Sequence, residues 1–535
     1  MKLVNHLLCL AICIISFLSC SSVSRLTHRK EGISPYEYGL ATAKTGVDKY
    51  QVLLNTHRAA VKAGVNVDYS NIDTIRLEVP ENPSRIPLTT YNDFNGCVFM
   101  IKNSSKDVYL FEKSIIGNAI VVNKQLIDKG DFRSVDALKS GRNLLVIEDK
   151  NPWVQNRRGH DYGHTRKDIM LIENGEAKNT TTMPYNNKFS EPICTYIHIG
   201  DVPLVMKNLV IEREPDCANL THIAFIRGVN DVRISDVIIH TPTSNLMNDR
   251  GILIRNCTNV TLDNIHIDGT YSQVDHSGYG ICLDNVWNVK ATRLFGKANW
   301  GIFGNNNVNT AYVENSQINR FDIHCYGRDI SFKSVDFFDH YNQYSSVYGT
   351  IQYDKCSFTD FVPVLNGGSY NAYVKHDLLM RDCVFNVTPN RNYILNIRRL
   401  DNSTDARYEL SEKCLPNVYI KNLVVNMTGG AERLYLFYCT FSGERVTDIG
   451  YVSNFNIDGL TINADGEKPL KEMLLSNKMI STKQPIDCKL TNVQVNQPVM
   501  GTKAILHNGQ VSLKTNITVN GDMVTMKNVK NLKQQ

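Results

Sequence analysis

The chain has 535 residues, of which 42% are hydrophobic and 21% charged, so it holds enough apolar material for a folded core and is unlike an intrinsically disordered chain. Its 58 Lys and Arg residues against 53 Asp and Glu give a formal net charge of +5, which supplies no dedicated basic face and argues against a nucleic-acid partner. After the first 20 residues no apolar run approaches the length that a membrane-spanning helix needs.

The amino terminus has the pattern of an export signal. Lys2 precedes an apolar run from Leu7 to Leu18, which has the length of a signal-peptide core and is too short to span a bilayer. The run ends at Leu18-Ser19-Cys20, which resembles the lipobox of bacterial lipoproteins, although Phe17 stands where leucine is usual. We therefore interpret residues 1–20 as a signal peptide whose lipobox ends at Cys20.

The lipobox resemblance implies a lipid on Cys20 and a membrane as a partner through that anchor. The expected location is the cell envelope, at the outer membrane or its periplasmic face. The alternative is an ordinary signal peptide cut near Ser19 or Ser22, and both interpretations export the protein. Residues 21–38 are polar and serine-rich, as a tether between an anchor and a folded body would be.

The cysteines do not predict a disulfide framework or a metal site. Of 14 cysteines, Cys9 and Cys13 leave with the signal and Cys20 carries the lipid, so 14 − 3 = 11 remain. An odd number at wide spacing is a poor disulfide framework, and no pair has the CxxC spacing of a zinc site. We expect no structural metal.

The sequence of residues 39–195 is predicted to form an N-terminal cap and the first irregular coils of a larger body. Residues 50–64 have helical apolar spacing and end on Gly64, a credible C-cap, and strands are expected at 74–79 and 97–101. The polar stretch 153–168 lacks strand periodicity and is interpreted as a long loop able to fold over a groove. It contributes three candidate substrate-binding residues: Arg157, His160 and His164.

A repeat fills residues 196–500. The phrase at 230–239 returns at 259–267, 417–425 and 454–462, as two short alternating strands joined by a polar corner. A second phrase, such as Gly251-Ile252-Leu253-Ile254, recurs from Gly280, Gly301, Asp322 and Thr350, and a third has the form Cys-x-Phe. No amphipathic helix separates the strands, so each repeat is predicted to be one coil of a β-solenoid.

This pattern resembles the right-handed parallel β-helix of the pectate-lyase-like superfamily, over roughly residues 195–500. The predicted fold class is all-β: a single-stranded right-handed parallel β-helix with an N-terminal helical cap, followed by a C-terminal cap or tail at 501–535. A propeller or stacked sandwiches would need four strands per repeat of about 40 residues or regular hairpin turns, and the sequence has neither. The resemblance implies a carbohydrate-active enzyme.

Candidate chemistry lies on the outward residues of one sheet. If the isoleucines of the second phrase point inward, then Leu253, Cys282, Phe303, His324, Gln352 and Lys375 form an outward column. Asp322 and His324 are two apart on a strand and share a face, and Arg320 lies at the corner before them. An acid, an imidazole and a guanidinium converging there suit proton transfer and the recognition of an anionic sugar.

Loops on neighbouring coils add carboxylates, histidines and aromatics, which glycan sites use for acid–base chemistry and stacking. The candidate catalytic residues are Asp322, His324, Arg320, Asp339, His340 and Asp275. The other candidate substrate-binding residues are Asp249, Arg250, His276, Tyr279, Asn299, Trp300, Tyr341, Gln352 and Lys375. Each also has a structural interpretation, as a solvated side chain, a turn residue or a corner aromatic.

Three functions remain open from the sequence. The favoured one is an exported glycoside hydrolase that uses paired aspartates, because carboxylates outnumber candidate bases in the groove, and its partner would be an acidic polysaccharide or oligosaccharide. The alternatives are a polysaccharide lyase that acts by β-elimination on a uronate-containing glycan, and a non-catalytic adhesin. No cofactor is expected, with calcium considered only for a lyase.

Overall fold

A computed structural model describes most of the chain between Gly32 and Met523. The described residues are 32–80, 84–102, 109–154, 164–180, 191–214, 222–241, 250–269, 279–298, 301–339, 341–344, 347–365, 376–399, 417–441, 454–464, 470, 472–476, 486–496, 505–506, 511–519 and 522–523. Cys20, the export signal and most of the predicted tether lie outside them. Among the described residues, no helix is both long and apolar enough to cross a membrane.

The body begins with a helical cap. A 3-10 turn at Pro35–Tyr38 precedes helix α1, Gly46–Ala63. Thr45 and Asp48 form a capping box at the start of α1, and Gly64 ends the helix in the left-handed conformation. The first strands follow: β1 Thr74–Glu78, β2 Ile86–Pro87, β3 Tyr91–Asp93, β4 Val98–Lys102 and β5 Tyr109–Ser114. The predicted helical cap is present.

His57 fixes α1 to these first strands. It is fully buried, with Nε2 2.7 Å from Tyr69 Oη and Nδ1 2.9 Å from the Pro87 carbonyl oxygen. Burial disfavours the imidazolium and lowers the pKa of His57 to about 4 from 6.5. The native state therefore keeps the His57 ring neutral. Its stability falls at low pH, because the unfolded chain then takes up a proton at His57 and the native state does not.

We expect the cap to lose about 3 kcal/mol of stability as the pH falls from 6.5 to 4, because the unfolded state binds more protons than the native state across that window. Native-state hydrogen exchange of the α1 amides at several pH values measures this loss. His57→Gln keeps a hydrogen-bonding side chain but cannot titrate, so its profile should be flatter by that amount. Identical slopes in the two proteins would contradict the assignment.

An antiparallel sheet, here called the insert sheet, interrupts the solenoid between β5 and β11. Its strands are β6 Asn118–Ile120, β7 Arg142–Val154, β8 His164–Glu173, β9 Glu176–Ala177 and β10 Pro192–His198, and helix α2, Lys124–Lys129, packs beside it. Leu145, Ile147 and Met170 belong to its own hydrophobic core. The prediction for residues 39–195 named a cap and the first irregular coils, and it did not include this sheet.

The solenoid body is one sheet wound into coils, and its strands pair in parallel except for the last two described strands, which pair antiparallel. Its strands are β11 Leu204–Arg213, β12 His222–Arg227, β13 Asn230–Thr241, β14 Arg250–Gly269, β15 Tyr279–Ala298, β16 Gly301–Ile318, β17 Phe321–Phe338, β18 Tyr341–Tyr344, β19 Val347–Asp354, β20 Ser357–Thr359, β21 Val362–Leu365, β22 His376–Arg381, β23 Val384–Val387, β24 Tyr393–Arg399, β25 Asn417–Met427, β26 Arg433–Phe441, β27 Asn454–Ala464, β28 Glu472–Ser476, β29 Ile486–Asn496, β30 Ile505–Leu506, β31 Val511–Val519 and β32 Asp522–Met523. The predicted fold class, a right-handed parallel β-helix, is confirmed.

The coils turn at residues in the left-handed conformation. One corner stacks Asp236, Asn264, Arg293 and Asn315 on successive turns with φ between 49° and 55°. Asn and Asp tolerate this region better than other residues with a side chain. Asn264 donates to Asp236 Oδ1 at 2.7 Å, so the corners also form hydrogen-bonded ladders. The repeated polar corners of the sequence thus serve both backbone geometry and coil stacking.

Two neighbouring stacks of strands each present an outward surface to solvent, and we name them the first face and the second face. The first face consists of residues 224–227, 252–255, 281–284, 303–306, 321–325 and 341–344 on successive coils. The second face follows the next corner and consists of residues 258–263, 287–292, 309–314, 328–333, 348–354, 377–381, 417–421, 454–458 and 487–491. Inward residues of both, such as Ile254 and Leu262, fill one continuous core.

Candidate functional site

The first face carries a buried ion pair at its centre. Asp322 lies in register with Gly304 and, one coil further back, with Cys282. Its Oδ2 accepts a hydrogen bond from Arg320 Nε at 2.5 Å, and its Oδ1 accepts one from the Gln343 backbone amide at 2.9 Å. Both side chains are almost completely buried, at 2% and 0% exposure for Arg320 and Asp322.

Electrostatics keep Asp322 ionised despite its burial. Burial alone would raise the pKa of this carboxyl group, but the adjacent Arg320 guanidinium and the hydrogen bonds from His324 and Gln343 hold the pKa below its usual value. Arg320 in turn stacks under the Tyr341 ring, with its guanidinium carbon 4.4 Å from the ring centroid. Asp322 is therefore a fixed negative charge with no exposed surface.

Tyr279 and His324 complete the cluster above this charge. Tyr279 Oη donates to Asp322 Oδ2 at 3.0 Å and lies 2.8 Å from His324 Nε2. The imidazole is also 3.5 Å from Asp322 Oδ2, and the two rings meet edge to face with centroids 5.5 Å apart. The His324 side chain is 18% exposed, so it is the member of the cluster that reaches solvent.

A β-bulge places His324. Asn305 pairs with Ile323 and Asn306 pairs with Cys325, so His324 is an extra residue in β17 relative to β16. Bulges bend a strand and re-aim the side chain of the extra residue, and they are common beside active sites. The bulge lets His324 approach Tyr279 while Ile323 stays in the core.

Glycines make room for the two large side chains of the cluster. A Cβ atom on Gly304 would lie 2.4 Å from Cδ2 of Tyr279, and one on Gly301 would lie 2.7 Å from Cδ of Arg320. Tyr279 therefore lies directly over Gly304. On its other side it packs with Phe225, Leu253 and Cys282 in a small apolar cluster on the first face.

The insert sheet borders the site at the corner between the two faces. Asn285 donates to the carbonyl of Asp168 at 3.1 Å, and Asn307 donates to that of Lys167 at 2.7 Å, so β8 is tied to successive corners of the solenoid. Leu144 and Ile169 pack with Trp287 below these bonds. The segment predicted to fold over the groove is thus partly strand, and its strand portion lies along that corner.

The structure brings together Asp322, His324, Arg320, Tyr279 and Tyr341 of the predicted site residues. Asp339 instead is an exposed corner residue with φ 62°. The catalytic or substrate-binding roles of these six residues stay predictions.

The predicted outward column was wrong in its register. Gln352 pairs with Ser331 and Leu379 on the second face, because the first-face strand of its coil is Tyr341–Tyr344. Phe303 pairs with Ile281 and is buried in the core, since the coil step there is one residue longer than the repeated phrase suggested. Asp322, not His324, occupies the position in register with Leu253 and Cys282.

Other predicted residues lie outside the description. These are Asp249, Asp275, His276, Asn299, Trp300, His340, Lys375, Arg157 and His160, and for Arg250 and His164 only the backbone is described. Within the described part of the chain, no three His, Cys, Asp or Glu residues gather as metal ligands would.

Sequence reasoning considered Asp284 as a corner residue or a candidate acid, but it missed Gly304 and the partner of Asp284, Arg255. Arg255 Nε is 2.7 Å from Asp284 Oδ2 on the first face. A glycine inside a strand is a signal of close approach that could have pointed to Gly304.

Comparison with known proteins supports the fold alone. No family model matches the chain, and no curated protein matches it. Among solved structures, the tailspike protein gp49 of Pseudomonas phage LKA1 is similar with a TM-score of 0.55 and 12% identity, over 90% of this chain and 84% of that one. The gp54 tailspike of Acinetobacter baumannii bacteriophage AP22, solved with a capsular saccharide, gives a TM-score of 0.44 and 11% identity, over 91% of this chain and 79% of that one. The chain thus shares its β-helix architecture with the LKA1 tailspike.

Proposed function

We propose that the protein is a carbohydrate-active enzyme whose catalytic centre is the first-face cluster, and that it is a polysaccharide lyase acting on a uronate-containing glycan. The observation that carries the proposal is the contact of His324 Nε2 with Tyr279 Oη at 2.8 Å, above the buried charge of Asp322. An imidazole and a phenol in direct contact form an acid–base pair. The geometry therefore favours the lyase over the hydrolase preferred from the sequence.

The cluster supplies each proton that a β-elimination moves. His324 accepts the proton from the carbon next to the uronate carboxylate through Nδ1, because Nε2 faces Tyr279 and Asp322. The released electron pair forms the new double bond as the glycosidic C–O bond breaks. Tyr279 gives its proton to the leaving oxygen. The hydrogen bond between the two then returns the proton from His324 to Tyr279. Asp322 stabilises the transient imidazolium, and Arg320 holds Asp322 in place.

A glycosidase needs two carboxyl groups flanking the bond that is cleaved. Asp322 has no exposed surface and its pKa is held low, so it suits neither a nucleophile nor an acid. Asp284 lies on the first face two coils away, about 10 Å along the axis, and is held by Arg255. Because Asp322 is buried and held by Arg320, this pair does not supply the two reactive carboxyl groups of a glycosidase.

Export and a lipid on Cys20 remain part of the proposal, supported by the sequence of residues 1–20. Labelling of cells with a clickable fatty acid, compared between the natural chain and Cys20→Ala, tests it. Loss of label in the variant is expected, and equal labelling would overturn the anchor.

The test of the reaction uses the full chain in detergent with a panel of neutral and uronate-containing polysaccharides. New reducing ends are measured together with the ultraviolet absorbance of an unsaturated uronate. We expect both to rise together. Reducing ends without absorbance would establish hydrolysis in place of elimination, and binding without either product would establish an adhesin.

Gly304→Ala should lower the turnover rate about a hundredfold, because the new methyl group would overlap the Tyr279 ring and displace its hydroxyl from His324. Steady-state kinetics and circular dichroism of the purified variant measure activity and fold. Gly200→Ala is the matched control, since a Cβ there has no neighbour within 4 Å. Full activity in Gly304→Ala would remove Tyr279 from the proposed mechanism.

A further inference from the structure

A groove lies on the second face, separate from the first-face cluster. Its open volume is about 440 Å³, and its floor follows the outward residues of successive coils. Gln352, Leu379, Tyr419, Asn456 and Lys489 stand in register on neighbouring strands. Neighbouring strands lie about 4.8 Å apart, so the groove runs along the solenoid axis and fits an extended chain.

An aromatic platform lies in the middle of this groove. Tyr419 is 37% exposed although it is a large hydrophobic residue, and Leu379 is half-buried beside it. Amide side chains of Gln352 and Asn456 flank these two residues on the neighbouring coils. An apolar surface formed by Leu379 and the Tyr419 ring, with an amide side chain at each end, suits stacking against a sugar face with hydrogen bonds to its hydroxyl groups.

The charge of the groove favours an anionic ligand. Among the described residues that line it, Arg381, Lys421 and Lys489 are cations and Asp458 is the one anion. Hydrogen bonds from Thr491 and Asn492 lower the pKa of Asp458, so it is ionised at neutral pH. Arg381 is neutralised by Asp354, whose Oδ2 lies 2.8 Å from Arg381 Nη2. Of the other charged lining residues, Lys421 and Lys489 outnumber Asp458, so the groove keeps an excess of one positive charge.

We propose that the second-face groove is a binding site for an anionic saccharide chain, distinct from the catalytic centre. The chain would lie along the axis, with one sugar over Tyr419 and its acidic groups near Lys421 and Lys489. Such a site would hold a polymer on the enzyme between cleavage events. This groove proposal rests on the proposed function only in its choice of an acidic saccharide as the ligand. Because binding is measured without turnover, the test does not depend on the proposed reaction.

Isothermal titration tests the proposal with oligogalacturonate, oligomannuronate and a sulfated uronate oligosaccharide as probes. The parent protein carries His324→Ala, which is expected to slow cleavage of the probes at least a hundredfold. Adding Tyr419→Ala with Lys421→Ala should weaken binding at the groove about tenfold or more, and added salt should weaken it in the parent. Tyr38→Ala with Lys62→Ala is the matched control, because both residues are exposed on the cap.

The number of binding sites separates this proposal from the proposed function. If both hold, a two-site isotherm becomes a one-site isotherm in the groove variant. If the catalytic centre binds no saccharide, the parent shows a one-site isotherm and the groove variant shows no binding. In that case the groove proposal still stands. Equal affinity in the groove variant and the cap control, or no binding to any of the three probes, would overturn it.

Discussion

His324→Ala should lower the turnover rate by about two to four orders of magnitude, which is the usual contribution of a positioned general acid or base. The imidazole is the exposed member of the cluster and touches both Tyr279 and Asp322, so its loss removes the proton acceptor and leaves the buried charge in place. The measurement is the initial rate of unsaturated uronate formation on the substrate identified by the panel, with substrate affinity measured alongside.

The matched control is His240→Ala. His240 also pairs with an aspartate across neighbouring coils, with Nδ1 2.5 Å from Asp268 Oδ1, but both side chains are exposed and lie away from the first face. Its loss should leave the rate unchanged. Tyr279→Phe removes one hydroxyl group and should also lower turnover strongly. A rate within threefold of the parent in His324→Ala would contradict the mechanism.

Asp322→Asn should destabilise the coil around it by about 3 to 5 kcal/mol, because it leaves the buried Arg320 guanidinium without its counter-charge. The free energy of opening can be followed by native-state hydrogen exchange at the amides of β16 and β17. The double variant Arg320→Met with Asp322→Leu removes both charges and should recover most of that loss, since apolar residues can replace a buried pair at little cost.

An ion pair with one solvent-exposed partner provides the comparison for this effect. Asp354→Asn breaks the contact with Arg381, and because the guanidinium left behind is 56% exposed and stays solvated, the change should cost less than about 1 kcal/mol. If Asp322→Asn costs no more than Asp354→Asn, or if the double variant is as unstable as the single one, the buried pair does not stabilise the site in this way.

The coil was predictable because the repeated phrases recur with both their strands and their corners. Asn264 and Asn422 stand at left-handed corners as the polar corner of the phrase indicated. The insert sheet could not be predicted from an alternation of apolar and polar residues along its strands. Leu144, Leu145, Val146 and Ile147 are all buried, because one face of β7 packs within the insert and the other packs toward the solenoid. Such a strand has no polar face to reveal its period.

The site was predictable only in part. The spacing of Asp322 and His324 correctly placed them on one face, but the phrase at Thr350 resembled the first-face strands while folding on the second face. Local sequence matches cannot show that β18 already occupies the first face of that coil. The burial of Arg320 also depends on Tyr341 from the following coil, which no local pattern reveals.

The insert sheet changes how the solenoid shares its stability. In a simple solenoid each coil interacts only with its neighbours, so the total is approximately a sum of nearest-neighbour contributions. Here the backbone of β8 accepts hydrogen bonds from Asn285 in β15 and Asn307 in β16, and Arg328 in β17 donates to Thr180 at 2.9 Å. Because one segment spans several coils, it couples those coils to one another, and we expect the centre of the molecule to open as a single cooperative unit around the site.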